Sequence, residues 1–179
     1  MVSFGNIKTT LLVLLTTTLL ISCTEKIEHK IAPLTNTSTF YLIRHAEKDR
    51  SDRTNKNPSL TIEGKKRSKK WALFFKDKRI DAVYSTNYKR TQETAAAIAK
   101  ERNIKIILYT PKELISEKFI ASNKGKNVVI VGHSNTTPAL VNTLLGLSKY
   151  QNIADKDNND LFIVTHKNNK TTAKREKVN

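Results

Sequence analysis

Two histidines, each directly after a β-prone apolar run, and two nearby arginines are the residues best suited to chemistry in this chain. His45 lies in Arg44-His45-Ala46-Glu47, immediately after the run 39–43. His133 lies in Gly132-His133-Ser134-Asn135, immediately after the run 127–131. Between them, the segment 85–95 (Ser-Thr-Asn-Tyr-Lys-Arg-Thr-Gln-Glu-Thr-Ala) comes after a third apolar run and carries Arg90. Ligands of open α/β sheets bind outside the carboxyl ends of the strands. Three such segments at three strand ends therefore make a pocket for a dianion.

The residue types fit phosphoryl chemistry. A neutral imidazole nitrogen is a nucleophile toward phosphorus, and a covalent intermediate divides one hard displacement into two easier ones. Arg44 and Arg90 disfavour protonation of His45, and their guanidinium groups match phosphate oxygens with paired donors. His133 is placed to donate a proton to a phosphoryl oxygen, and the helix starting near Arg90 adds a favourable dipole. Ser85 has two readings, a phosphate contact or a helix cap. Asn135 likewise either caps the next helix or reaches the phosphate. Glu47 and Lys48 stand at the mouth of the site or are simply solvated. His29 and His166 fall outside this constellation.

The elements that must position these groups are legible as an alternation. Residues 39–43 read as a buried strand. Thr61 caps a helix with Ser68, Trp71, Ala72 and Phe75 on one side and Lys65, Lys66, Lys69 and Lys70 largely on the other. Strands are expected at 82–84, 105–109 and 127–131, and helices from Arg90 to about Arg102, from Thr110-Pro111 to about Ser122, and from Thr137-Pro138 to Gly146. Runs 161–165 and 171–174 around Asn168-Asn169 read as a hairpin. Strands alternating with helices imply an α/β domain with a mainly parallel sheet.

These segments resemble the phosphoglycerate mutase-like, or histidine phosphatase, superfamily. Its signature is Arg-His-Gly/Ala-Glu after the first strand, then Ser-x-x-x-x-Arg-Thr-x-x-Thr-Ala, then a late Gly-His, and all three occur here in that order over roughly residues 39–165. Leu60-Thr61-x-x-Gly64-x-x-Arg67-Ser68 is similar to the family's first helix. The resemblance implies a three-layer α/β domain with a mainly parallel central sheet. It also implies a phosphatase without metal or other cofactor, acting through a phosphohistidine on His45 with Arg44, Arg90 and His133 around the transferred group. The substrate would be a small phosphorylated molecule or a phosphoprotein. Many relatives place an acidic residue after the third strand or just after the late histidine. Ser134 follows His133 here, which leaves Glu113 as the best candidate acid, ahead of Glu117, although a first-turn carboxylate also suits the helix dipole. Without a strong acid, a phosphohistidine or acyl phosphate is as suitable a substrate as a sugar phosphate. The alternatives are a mutase with a retained phosphohistidine, a phosphate-binding module without turnover, and a metal hydrolase using His45, His133 and Glu47. Two adjacent arginines argue against the last.

The chain has 179 residues, 38% of them hydrophobic, with 32 Lys+Arg against 16 Asp+Glu and a net charge of +16. One domain suits that length. The lysines are spread through nearly every segment, without a basic arm or aromatic-studded stripe, which argues against dedicated nucleic-acid binding. Residues 1–22 have the layout of a secretory signal, with Lys8 ahead of a short uncharged run. That run is too short and threonine-rich for a membrane span of roughly 20 apolar residues. Leu20-Ile21-Ser22-Cys23 resembles a bacterial lipobox, so Cys23, the single cysteine, is the expected lipidation site of an exported, membrane-anchored lipoprotein. Residues 23–38 read as a polar tether and 39–179 as the domain.

Overall fold

The structure is a computed structural model that describes Met1 and residues 37–114 and 116–179. Apart from Met1, the expected signal segment, the lipidation site Cys23 and nearly all of the tether lie outside the described residues. Among those described, no helix is long and apolar enough to cross a membrane.

Six strands form one sheet in the order β3-β2-β4-β1-β5-β6. Their ranges are β1 Thr37–Arg44, β2 Ala82–Ser85, β3 Ile106–Leu108, β4 Asn127–Gly132, β5 Asp160–Lys167 and β6 Lys170–Lys177. The first four run parallel, as expected, and the hairpin β5–β6 adds two antiparallel pairings at one edge. The hairpin turns at Asn168 and Asn169, whose φ values of 49° and 58° suit the left-handed region that asparagine tolerates. β1 starts two residues before the expected strand, so Thr37 and Ser38 belong to the sheet and not to the tether.

Alternation along the strands sends side chains to both faces of the sheet, and helices cover each one. Phe40, Leu42, Val128, Ile130, Phe162 and Val164 pack with Leu114, Phe119, Leu140 and Val141 on one side. Ile43, Val83, Val129, Val131 and Leu161 pack with Trp71, Phe75, Ala95 and Ile98 on the other. The three-layer architecture is thus present. On the second face lie α1 Ile62–Phe75 and α2 Lys89–Lys100. Thr61 caps α1 by accepting from the Gly64 backbone N–H at 3.0 Å, and the expected apolar side of that helix is the buried one. Gly64 is required for a separate reason. A Cβ there would sit 2.2 Å from the Glu47 carbonyl oxygen, so α1 can press against the loop after β1 only without a side chain at that position.

On the first face lie α3 Pro111–Leu114, α4 Glu117–Ser122 and α5 Thr136–Leu145. The single helix expected over 110–122 is two short ones, because Ser116 takes an extended conformation and caps α4 through the Phe119 N–H. Gly146 ends α5 with φ 69°, the left-handed closure that favours glycine.

Candidate active site

Register alone brings the two histidines together. β1 and β4 are neighbours with Arg44 opposite Gly132, so the next residue of each strand, His45 and His133, leaves the sheet side by side. Their rings lie 5.6 Å apart between centroids, inclined at 66°. β2 pairs Ser85 with Val131 on the other side of β4, which delivers Thr86 and then α2 with Arg90 to the same edge. Arg44, His45, Arg90, His133 and Asn135 line one open cleft of about 650 Å³, with Lys48, Thr86, Tyr88, Tyr109 and Asp155.

His45 is 3% exposed. Its Nδ1 lies 2.8 Å from the Ala46 carbonyl oxygen. A carbonyl only accepts, so Nδ1 carries the proton and Nε2 the free lone pair. Asn158 Nδ2 donates to the His45 carbonyl at 2.8 Å and fixes the backbone beneath it. The pKa of His45 is pushed down to about 3, first by burial and then by Arg44, Arg90 and His133, against the opposing pull of the Ala46 carbonyl. Neutrality of the imidazole was expected from the arginines; burial contributes more.

His133 belongs to a directed chain of hydrogen bonds. Thr91 Oγ1 donates to backbone carbonyls of Thr86 and Tyr88, each at 2.9 Å. Thr86 Oγ1 therefore donates to Thr91 Oγ1 at 3.0 Å, and His133 Nε2, 2.9 Å away, donates to Thr86. That leaves Nδ1 as acceptor, 3.5 Å from Arg90 Nη2. Burial first, then Arg90, Arg44 and Lys48, lower the His133 pKa to about 4. The one proton of the neutral ring is thus turned to Thr86. Donation toward the cleft needs a second proton on Nδ1, which a bound dianion favours.

The arginines are held in different ways. Arg44, 2% exposed, gives Nη1 to the carbonyls of Ala154, Asp155 and Asp157 at 2.9–3.1 Å and Nη2 to the Asp155 carboxylate at 2.9 Å. Its Nε is buried without a partner. Arg90 stacks on Tyr88, with Cζ 4.4 Å from the ring centroid, and its Nε and Nη1 are buried without partners. Three guanidinium nitrogens that lack an acceptor therefore belong to two residues of one cleft. Unpaired buried donors are costly, and phosphate oxygens are the acceptors that guanidinium geometry matches.

The other expected site residues separate. Asn135 lines the cleft, and although it stands at the N-cap of α5 its side chain makes no capping hydrogen bond. Ser85 is fully buried, donates to the Thr86 carbonyl at 2.9 Å and does not line the cleft, so it neither contacts phosphate nor caps α2. Glu113 is also outside the cleft. Its carboxylate accepts from the Thr110 backbone N–H at 2.5 Å and the Thr110 hydroxyl at 2.8 Å. Those bonds lower its pKa and engage the carboxylate in a capping box with Thr110, the first-turn position that also suits the helix dipole. Glu47 turns to Arg67, 2.6 Å away, which removes it from any ligand set with His45 and His133.

Sequence reasoning missed Asp155, the one carboxylate among the residues lining this cleft. It bridges Arg44 and Arg50 at 2.9 and 2.8 Å, and those arginines, Arg50 first, hold its pKa below the usual carboxylate range. No local pattern marked it, because its partners lie more than 100 positions away in the chain. Thr86 was passed over because its neighbour Ser85 matched the motif.

Comparison with known proteins bears on the sequence pattern and the fold. Residues 40–111 match the model of the histidine phosphatase superfamily (branch 1). A search among curated protein sequences returns no match. Among solved structures, the protein histidine phosphatase SixA complexed with tungstate is similar at 16% identity and a TM-score of 0.63, over 78% of this chain and 96% of that one. A mycobacterial glucosyl-3-phosphoglycerate phosphatase is similar at 11% identity and 0.62, over 80% and 99%. The alpha-ribazole phosphatase from Shigella flexneri is similar at 15% and 0.60, over 76% and 94%. At such identities the likeness shows the fold. Residues 40–111 carry the sequence pattern of the histidine phosphatase superfamily (branch 1), and the α/β fold is the one these solved structures share.

Proposed function

We propose that the chain is a metal-independent phosphatase that hydrolyses a phosphorylated small molecule or phosphoprotein through a phosphohistidine on His45. The observation that carries this reading is a neutral His45 with Nε2 unprotonated, in a cleft also lined by His133 and the guanidinium-bearing Arg44 and Arg90. Nε2 attacks phosphorus, and the leaving group departs with the electrons of its bond to phosphorus. Water then attacks the phosphohistidine, releases inorganic phosphate and regenerates the neutral ring. The guanidinium groups of Arg44 and Arg90 hold the equatorial oxygens, and phosphoryl transfer depends mainly on such positioning and charge. Once a dianion is bound, His133 takes up a proton on Nδ1 and adds to that charge.

Asp155 is ionised between two arginines and Glu113 is a helix cap. The leaving group therefore departs without a strong acid, which favours acyl phosphates, phosphohistidine and phosphates of acidic hydroxyls. Cys23, at the end of the short apolar run, is the lipidation site of an exported lipoprotein, and a Cys23→Ala variant that incorporates palmitate like wild type would refute that. The functional test is turnover of small phosphate compounds in excess EDTA. Hydrolysis that persists supports the reading; hydrolysis lost to EDTA and restored by zinc or manganese favours a metal hydrolase. Phosphate binding without any turnover makes the chain a binding module.

A further inference from the structure

Beside the catalytic cleft lies a second, smaller one of about 250 Å³. The two adjoin, since Tyr109, Pro111 and Thr136 line both. Leu114 and Leu140 are buried at the base of the smaller cleft and Ala139 stands exposed at its wall. Of the three hydroxyls around it, two already donate to the backbone and the third accepts from it. Tyr109 donates to the Val131 carbonyl at 3.3 Å, Thr143 donates to the Ala139 carbonyl at 3.0 Å, and Thr136 Oγ1 accepts from the His133 N–H at 3.2 Å. The rest is a wall of Pro111, the Tyr109 ring, Ala139 and the two leucines, with Lys112 as its one charge. Such a surface gains from an apolar occupant and offers little to a sugar or polyol, whose hydroxyls would lose water without replacement.

The geometry points to this cleft as a leaving-group subsite for the aromatic part of a phosphate monoester. The inference rests on the phosphatase reading and deepens it. A group attached to a phosphorus held between Arg44 and Arg90 has the shared wall of Tyr109, Pro111 and Thr136 beside it. The volume suits a group of one or two rings, being just below the roughly 300 Å³ at which drug-sized pockets begin. Aryl alcohols are also acidic enough to leave as the oxyanion, which agrees with a cleft whose one carboxyl group, Asp155, is ionised. Attack by His45 Nε2 on phosphorus breaks the P–O bond and its electron pair leaves on the aryl oxygen, to be protonated by water.

The test compares binding of benzylphosphonate and ethylphosphonate to the full chain by isothermal titration calorimetry, since neither can be hydrolysed. Burial of one ring predicts about tenfold tighter binding of the benzyl compound. Ala139→Leu fills the cleft from an exposed helical position that tolerates leucine, and is expected to cut that advantage below about twofold while ethylphosphonate binds as before. Equal affinities in the wild type, or an advantage that survives Ala139→Leu, overturn the subsite. If neither phosphonate binds, the phosphate site and the subsite both fall. Turnover of 4-nitrophenyl phosphate, measured alongside, separates the two ideas. Turnover without benzyl selectivity sinks only the subsite, and benzyl selectivity without turnover of any phosphate compound sinks the enzyme and leaves the cleft an aryl-binding site with no leaving-group role.

Discussion

The Thr86 hydroxyl accepts a hydrogen bond from His133 Nε2 at 2.9 Å and donates its own to Thr91 Oγ1 at 3.0 Å. This relation fixes which nitrogen of His133 faces Arg90 and the cleft. Thr86→Val removes the acceptor while keeping the shape, so it is expected to lower kcat by about tenfold, or about 1.4 kcal/mol. KM should move little, and Thr86→Ser should recover most of the loss. Steady-state kinetics of the three proteins decide the matter. A KM effect alone, or no rescue by serine, would assign Thr86 a merely structural role.

Both histidines resist protonation, with pKa values of about 3 for His45 and about 4 for His133. The unfolded chain protonates both near 6.5. Between those limits the unfolded state binds more protons, so this contribution to stability is complete above pH 6.5 and shrinks as pH falls toward the folded values. Melting temperatures measured from pH 7 to 4.5 should fall, and less steeply in His45→Gln. Proton NMR should show the two imidazoles neutral at pH 5.5. A His45 resonance that titrates near 6.5 would contradict the buried, neutral nucleophile.

Asp155 places negative charge beside the anion site while it holds Arg44 and Arg50. The backbone carbonyls of residues 154, 155 and 157 still hold Arg44 without that carboxylate. Asp155→Asn is therefore expected to tighten inhibition by inorganic phosphate severalfold and to leave relative rates across leaving groups unchanged. Inhibition constants and a series of substrates with graded leaving groups test this. A rate loss confined to poor leaving groups would make Asp155 the general acid.

The parts of the site that depend on strand order were legible in the sequence. Apolar runs ending at Ile43, Tyr84 and Val131 announced three strands, and a parallel sheet must deliver the residues after each of them to one edge. The same holds for Thr61 as a cap and for the turn at Asn168-Asn169, whose residue types specify the backbone locally. The loop over residues 147–159 has no period and gave no signal, yet its carbonyls hold Arg44 and its Asn158 holds the His45 backbone. Glu113 misled because the spacing that suggests an acid near the site also suits a capping box with Thr110. Ser85 misled because a strand-end serine is buried or exposed according to pleat phase, which the motif does not encode.

Covalent phosphate on His45 is the central claim, and trapping it is the most direct measurement. Turnover of a phosphate compound, quenched rapidly without acid and digested at alkaline pH, should yield a peptide with phosphate on the His45 imidazole by mass spectrometry. His45→Ala should lack that adduct and lose several orders of magnitude in kcat, because a covalent nucleophile acts as a unit with its partners. Arg90→Ala should keep the adduct and lose a smaller though still large factor. A His45→Ala protein that hydrolyses phosphate esters as fast as the wild type would contradict the account.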